Sequence, residues 1–247
     1  MRFAVANSKF MAVVGRLFLE LQTDAQATGP SSFRHELWRS RFEGMLRRVN
    51  DSFDPKPVAL TGESVRLESL DLRHAGELTE AGSTAALWRH LPIAPPASVA
   101  ENEAWIRDAI RDGETGAQVP FAIVRLESGR AVGSTRYLDI QRENSALEIG
   151  WTWIGKPWQR TVVNTECKFL LLRHAFEALG ALRVQFKTDG RNKQSQEAIA
   201  RIGAKREGVL RRSRRLWDGF VRDTVVFSIL DSEWPEVKER LEKRLDC

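Results

Sequence analysis

The segment richest in usable chemistry runs Gly155-Lys156-Pro157-Trp158-Gln159-Arg160-Thr161-Val162-Val163-Asn164-Thr165. Before it, Ala146–Ile154 reads as a strand that Lys156-Pro157 stops. After it, Phe169, Leu172, Ala175, Phe176 and Leu179 form one apolar stripe of a helix over 165–179, and Gly180 is placed to end it. The first turn of a helix carries unpaired N–H groups and a partial positive charge. A strand–loop–helix of this kind therefore suits a phosphate, and Lys156 and Arg160 add cations in the loop. The alternative is that Asn164 and Thr165 cap the helix with their own side chains. A second basic stretch, Lys205-Arg206 and Arg211-Arg212-Ser213-Arg214-Arg215, lies further on. On a strand, Arg211 and Arg215 face one way and Arg212 and Arg214 the other. A solvated edge strand is thus the first reading, an acidic or phosphate-bearing substrate the second, and nucleic acid the last. Trp151, Trp153 and Trp158 cluster away from these arginines and read as core and pocket wall rather than a base-stacking platform. His35, His74, His90 and His174 have no ligand-like spacing, and Cys167 and Cys247 offer neither a disulfide framework nor a cysteine cage, so no metal is expected.

The chain that must position these residues has 247 of them, 42% hydrophobic and 29% charged, which excludes wholesale disorder. A net charge of +5 and a pI near 9.5 permit an anionic partner without arguing for nucleic acid. The apolar stretch Phe10–Leu21 is broken by Arg16 and Glu20 and lacks a small-residue cleavage site, which fits neither a signal peptide nor a membrane span. The expectation is a soluble, cytoplasmic protein. Asp54-Pro55-Lys56-Pro57 and Thr61-Gly62 mark a boundary, dividing the chain into an extension over 1–55 and a main domain over 56–247. The extension reads as a helical pair or as a largely unstructured segment. A third reading starts translation at Met45, ahead of Arg47-Arg48.

Past Gly62, alternation predicts a strand over 65–70, a helix capped by Asp71, and a second helix from Ser98 to Gly113. Phe121–Glu127, Ala131–Ile140 and Ala146–Ile154 follow as three consecutive antiparallel strands. After the 165–179 helix come a strand over Leu182–Thr188, a helix over Asn192–Ile202, a hairpin turned at Asp218-Gly219, and a last helix over Ser232–Leu245. The fold class is therefore α/β (α+β): a central mixed, mostly antiparallel twisted sheet flanked by helices. The unit over 146–188 is its one parallel crossover.

From Val65 to Leu230 the sequence resembles the GNAT superfamily of acetyl-CoA-dependent N-acetyltransferases, in its RimJ/RimL-like branch. Five stretches carry the resemblance, in order: Leu147-Glu148-Ile149-Gly150-Trp151-Thr152-Trp153-Ile154; Asn164-Thr165-Glu166 with 170–176; Asn192-Lys193-Gln194-Ser195; Ile202-Gly203-Ala204; and Glu207-Gly208-Val209-Leu210-Arg211 with Asp218-Gly219 and Arg222-Asp223. The family's cofactor loop reads Gln/Arg-x-x-Gly-x-Gly/Ala. Gln159 fits its first position, while Val162 and Asn164 stand where small residues belong, and Val162 is expected to crowd a phosphate there.

The resemblance implies direct acetyl transfer from acetyl-CoA to a primary amine: a protein N-terminus, an amino acid or a small amine. The cofactor-binding residues it implies are Trp151, Thr152, Trp153, Ile154, Gln159, Arg160, Thr161, Val162, Val163, Asn164, Thr165, Asn192 and Ser195, with no metal. The pantetheine is expected where the 146–154 and 183–188 strands splay, with a main-chain N–H near Trp151 or Thr152 on the thioester oxygen. Glu148 is the candidate base for the amine, or else an ordinary salt-bridged strand residue. Ser195 is the candidate for the thiolate proton, or else a first-turn helix residue bonding backbone. The tyrosine common among relatives is missing, since Tyr137 is the chain's only one. Partners are acetyl-CoA and an amine, with no nucleic acid and no membrane; a homodimer is compatible with the resemblance. The alternative is a non-catalytic member of the same fold that binds an acyl-CoA or a protein.

Overall fold

The computed structural model describes Phe53–Asp246, so the extension and the Met45 alternative lie almost entirely outside the described residues. Eight strands form one sheet: β1 (Leu60–Thr61), β2 (Val65–Ser69), β3 (Val119–Arg125), β4 (Ala131–Gln141), β5 (Ala146–Ile154), β6 (Arg183–Asp189), β7 (Lys205–Arg215) and β8 (Val221–Leu230). Their spatial order is β1-β2-β3-β4-β5-β6-β8-β7. Every neighbouring pair is antiparallel except β5–β6, where the long helical crossover makes the two strands parallel, as the sequence predicts. β1 goes unforeseen, because its two residues sit among the Pro and Gly that mark the boundary.

Five α-helices cover the faces: α1 (Ala75–Ala81), α2 (Val99–Glu114), α3 (Val162–Arg173), α4 (Lys193–Arg201) and α5 (Trp234–Leu245). Ser98 and Asn192 cap α2 and α4 through side-chain oxygens that accept from Glu101 N–H and Ser195 N–H. One face of the sheet buries Leu67, Phe121, Tyr137, Leu147, Ile149, Val184 and Phe227 against α3, α4 and α5. The other buries Ala122, Val124, Ala131 and Trp153 against α1, α2 and Trp88. Period-two alternation along the strands thus feeds both cores, and side chains between them on β5 and β6 are free for other work.

Most strand boundaries shift by one or two residues from the sequence reading, and the larger differences, at α3 and β7, have identifiable reasons. α3 begins at Val162, not near Thr165: Thr161 is extended and its Oγ1 accepts from Val163 N–H, so Thr161 is the cap, while Asn164 and Thr165 fall inside the first turn. Its C-terminal end passes into a single π turn, His174–Ala178, beside which Tyr137 Oη donates to Leu171 O at 2.6 Å. β7 is the exposed edge strand foreseen for the basic run. Its arginines do not alternate strictly, because a bulge at Arg212 (φ 48°) resets the pairing between Leu210 and Arg214.

Candidate active site

β5 and β6 pair over only three residues, Ala146↔Arg183, Leu147↔Val184 and Glu148↔Gln185. From Ile149 onward no residue of β5 pairs with β6, so the two parallel strands part and leave a V-shaped opening in mid-sheet. α3 follows the end of β5, and α4 follows the end of β6. Both helix N-termini therefore stand at the open end of the V, the place where parallel α/β sheets hold ligands.

Within the opening, β5 bulges. Ser134 pairs with Trp153 and Arg136 with Gly150, so three steps on β5 answer two on β4. The extra residue is accommodated at Trp151, whose φ of 50° is rare for a bulky side chain. Strain of this kind persists only where surrounding contacts over-determine it, and it re-aims the Trp151–Thr152 backbone. Thr152 Oγ1 shares a 2.8 Å hydrogen bond with Thr135 Oγ1 and accepts from Lys168 Nζ at 2.6 Å. Trp153 packs in the α1–α2 core, its ring tilted against Trp88 with centroids 5.1 Å apart, and Ile154 lies in the opposite core.

Glu148 stands at the apex, where pairing ends. Its carboxylate is nearly buried and meets Lys187 Nζ at 2.9 Å, and Asp139 Oδ2 takes the same ammonium at 3.1 Å. Burial pushes the Glu148 carboxyl above its ordinary range, with Lys187 opposing. Asp139 reaches this position through a second bulge, on β4, where its φ is 48°. Gly150 leaves the room Glu148 needs: a Cβ there would lie 2.7 Å from Glu148 Oε1. Glu148 is thus a salt-bridged strand residue, the second of the two readings the sequence allowed, held at the apex of the cleft by burial and a paired ammonium.

The loop before α3 turns at Arg160, which takes a left-handed φ of 62° without being glycine. Gln159 Nε2 donates to Ile154 O, which ties the loop back to β5, and Thr161 Oγ1 donates to Trp158 O within the loop. Val162 is the first residue of α3 and is exposed, while Val163 is in the core. At α4, Asn192 Oδ1 accepts from Ser195 N–H, and Ser195 is half-buried in the first turn. Asn192 is thereby the cap of α4, which fixes where the Ser195 hydroxyl begins its helix.

The acetyltransferase (GNAT) domain profile matches residues 64–205, more than half of the chain. A GCN5-related N-acetyltransferase from Brucella melitensis superposes with a TM-score of 0.73 at 32% identity, over 78% of this chain and 87% of that one. The chain belongs to the GNAT acetyltransferase family. A T. thermophilus protein assigned as an acetyltransferase gives a TM-score of 0.70 at 42% identity, over 77% of this chain and 98% of that one. Mycobacterium smegmatis RimJ, in complex with CoA-disulfide, shares the fold with a TM-score of 0.67 at 20% identity, over 78% and 96%. Comparison with curated proteins gives no match.

Within this GNAT chain the structure gathers Glu148, Trp151 and Thr152 at the cleft and sets the 159–165 loop and Ser195 at its open end. Trp153 and Ile154 are core residues instead. Tyr137 is fully buried with its hydroxyl on Leu171 O and its ring on His174, so it braces α3. Glu166, part of a quoted motif, is buried and accepts from Glu63 N–H, Ser64 N–H and Ser64 Oγ, tying α3 to the β1–β2 turn. Three residues of the cleft go unnoticed in the sequence: Lys168, Asp139 and Arg136. Lys168 had a signal, a lysine inside the apolar stripe of α3. Among the described residues, no group of three or more His, Cys, Asp or Glu is placed to hold a metal, and no helix is long and apolar enough to cross a membrane.

Proposed function

We propose that this GNAT protein moves an acetyl group from acetyl-CoA to a primary amine by direct attack. The observation that supports it most is the opening between β5 and β6, with its bulge at Trp151. Acetyl-CoA supplies a thioester whose carbonyl carbon is the electrophile. The unpaired edge of β5 past Glu148 provides main-chain N–H groups for the charge that develops on that carbonyl oxygen. The first turn of α3, with Arg160 beside it, suits the pyrophosphate. RimJ, which shares the fold, is found in complex with CoA-disulfide, which supports a CoA-type ligand.

Glu148 is the base in this reading. As the N–C bond forms and the C–S bond breaks, the amine releases a proton toward Glu148, directly or through water, the leaving sulfur takes one from the Ser195 hydroxyl, and exchange with solvent then deprotonates Glu148 and reprotonates Ser195. The products are an N-acetylated amine and the free CoA thiol, so atoms and charge balance. Lys187 favours the ionised form of Glu148 against the burial that opposes it.

Isothermal titration with acetyl-CoA and with CoA tests the reading. Micromolar binding is expected, and no binding at millimolar cofactor sinks it in favour of a non-catalytic module. Once an acceptor is in hand, Glu148→Gln should lower kcat about 100-fold with cofactor affinity held. The wild-type rate should fall with acidification through a midpoint above 4.5, because the raised carboxyl pKa sets that limb. An unchanged rate in the variant retires Glu148 as base.

A further inference from the structure

Arg136 projects from β4 on the same face as Glu148, since it pairs with Gly150, two residues further along β5. The side chain is 4% exposed, an unusual place for a guanidinium. Its Cζ lies 5.0 Å from the Trp105 ring centre and 4.5 Å from that of Trp151, both within cation–π range. Nη1 donates to Gln118 Oε1 at 3.0 Å, and Gln118 Nε2 in turn donates to Asp112 Oδ2 at 2.8 Å. That chain of bonds fixes the plane of the guanidinium. Nε and Nη2 are left buried and without an acceptor. These two nitrogens form one edge, the edge that meets a carboxylate with two parallel hydrogen bonds. Two neighbouring indole nitrogens, Trp105 Nε1 and Trp153 Nε1, are buried and unpaired as well. The guanidinium edge and the indole of Trp105, which the guanidinium faces, thus bring together three unpaired donors, and an acceptor-only group is the chemistry that satisfies them.

Position connects this edge to the cleft. Trp151, which flanks Arg136, is the half-buried, bulged residue of the β5 opening, and so links the guanidinium to the cleft. Arg136 and Glu148 are diagonal neighbours across the β4–β5 pair, with backbones about 7–8 Å apart. We propose that the acceptor is a small amine that also carries a carboxylate, an amino acid in the simplest case, with its carboxylate on the Nε–Nη2 edge of Arg136 and its amine toward Glu148. This rests on the acetyl-transfer reading. It separates amino acids from protein N-termini, whose first carbonyl is an amide and brings no charge to the guanidinium.

The probes are N-acetylated amino acids and the matching N-acetyl amino-acid amides, titrated into the full chain and followed by tryptophan fluorescence, since Trp105 and Trp151 flank the edge. For at least one side chain, the acid should bind at least about tenfold tighter than its amide. Arg136→Lys, which keeps the charge and loses the edge, should erase most of that difference and hold acetyl-CoA affinity within about twofold. Acids and amides that bind alike, or that both fail to bind, overturn the proposal. A second arm measures thiol release from acetyl-CoA with free amino acids and with their amides. Faster turnover of the amides overturns the carboxylate site and leaves acetyl transfer standing. Failure of acetyl-CoA to bind overturns the transfer reading instead, and the acid–amide titration then judges Arg136 alone.

Discussion

Lys168 is buried in α3 with its ammonium on the Thr152 hydroxyl and, among the described residues, no carboxylate beside it. Burial pulls its pKa down from 10.5 to about 8. Between about pH 8 and 10.5 the unfolded chain holds a proton on this lysine that the folded chain has released, so its contribution makes stability rise with pH. Below that window the folded state carries a constant penalty of order 3 kcal/mol, from about 1.4 kcal/mol per pKa unit. Lys168→Met should accordingly raise Tm at pH 7, and the gain should shrink as pH approaches 10. Comparing the variant with wild type isolates the lysine, because the buried Cys167 thiol, pushed from 9.0 up to about 11, acts in the opposite sense above pH 9. A lower Tm in Lys168→Met at pH 7 would mean that the Thr152–Lys168 contact outweighs the desolvation. A lysine in an apolar stripe is visible in a sequence, but its partner is not, since Thr152 comes from a strand 16 residues away.

At the scale of elements, boundaries set by local chemistry were legible. Ser98 and Asn192 cap their helices, and the Asp218-Gly219 turn closes the hairpin with Gly219 at φ 83°, because each depends on residues within three or four positions. The start of α3 is ambiguous for the same kind of reason: Thr161, Asn164 and Thr165 all make acceptable caps, and only the tie of Gln159 back to β5, with the Thr161–Trp158 bond inside the loop, selects the first. That shift puts Val162 at the first position of the helix, exposed at the end where phosphate is expected. Replacing it by glycine should tighten CoA binding in isothermal titration, with a small loss of helix stability of about 0.5–1 kcal/mol. An affinity that stays put would show that the first turn takes the pyrophosphate past the isopropyl group.

At the scale of the whole molecule, the antiparallel β3–β4–β5 run, the closing hairpin and the parallel β5–β6 pair follow from the alternation of elements, while the place of β8 between β6 and β7 and the bulges do not. Asp139, Trp151 and Arg212 hold positive φ where the pairing of a strand with its neighbour shifts by a residue, and no local pattern announces them. Their consequence is an ion cluster that joins three strands where the sheet opens: Asp139 on β4, Glu148 on β5 and Lys187 on β6. Lys187 thus closes the apex of the V, and its loss leaves two carboxylates facing each other. Lys187→Met should destabilise the chain by about 2 kcal/mol at pH 8. That is less than the roughly 3–5 kcal/mol of a fully buried pair, because the lysine is 28% exposed and solvent screens it. Without the ammonium, Glu148 holds its proton still more tightly in the folded state than unfolded, so protonation favours folding and stability recovers as pH falls. The Tm gap between variant and wild type should therefore narrow from pH 8 to pH 5.5. A gap that stays constant or widens on acidification would show that packing of the lysine stem, rather than its charge, holds the strands together at the point where they part.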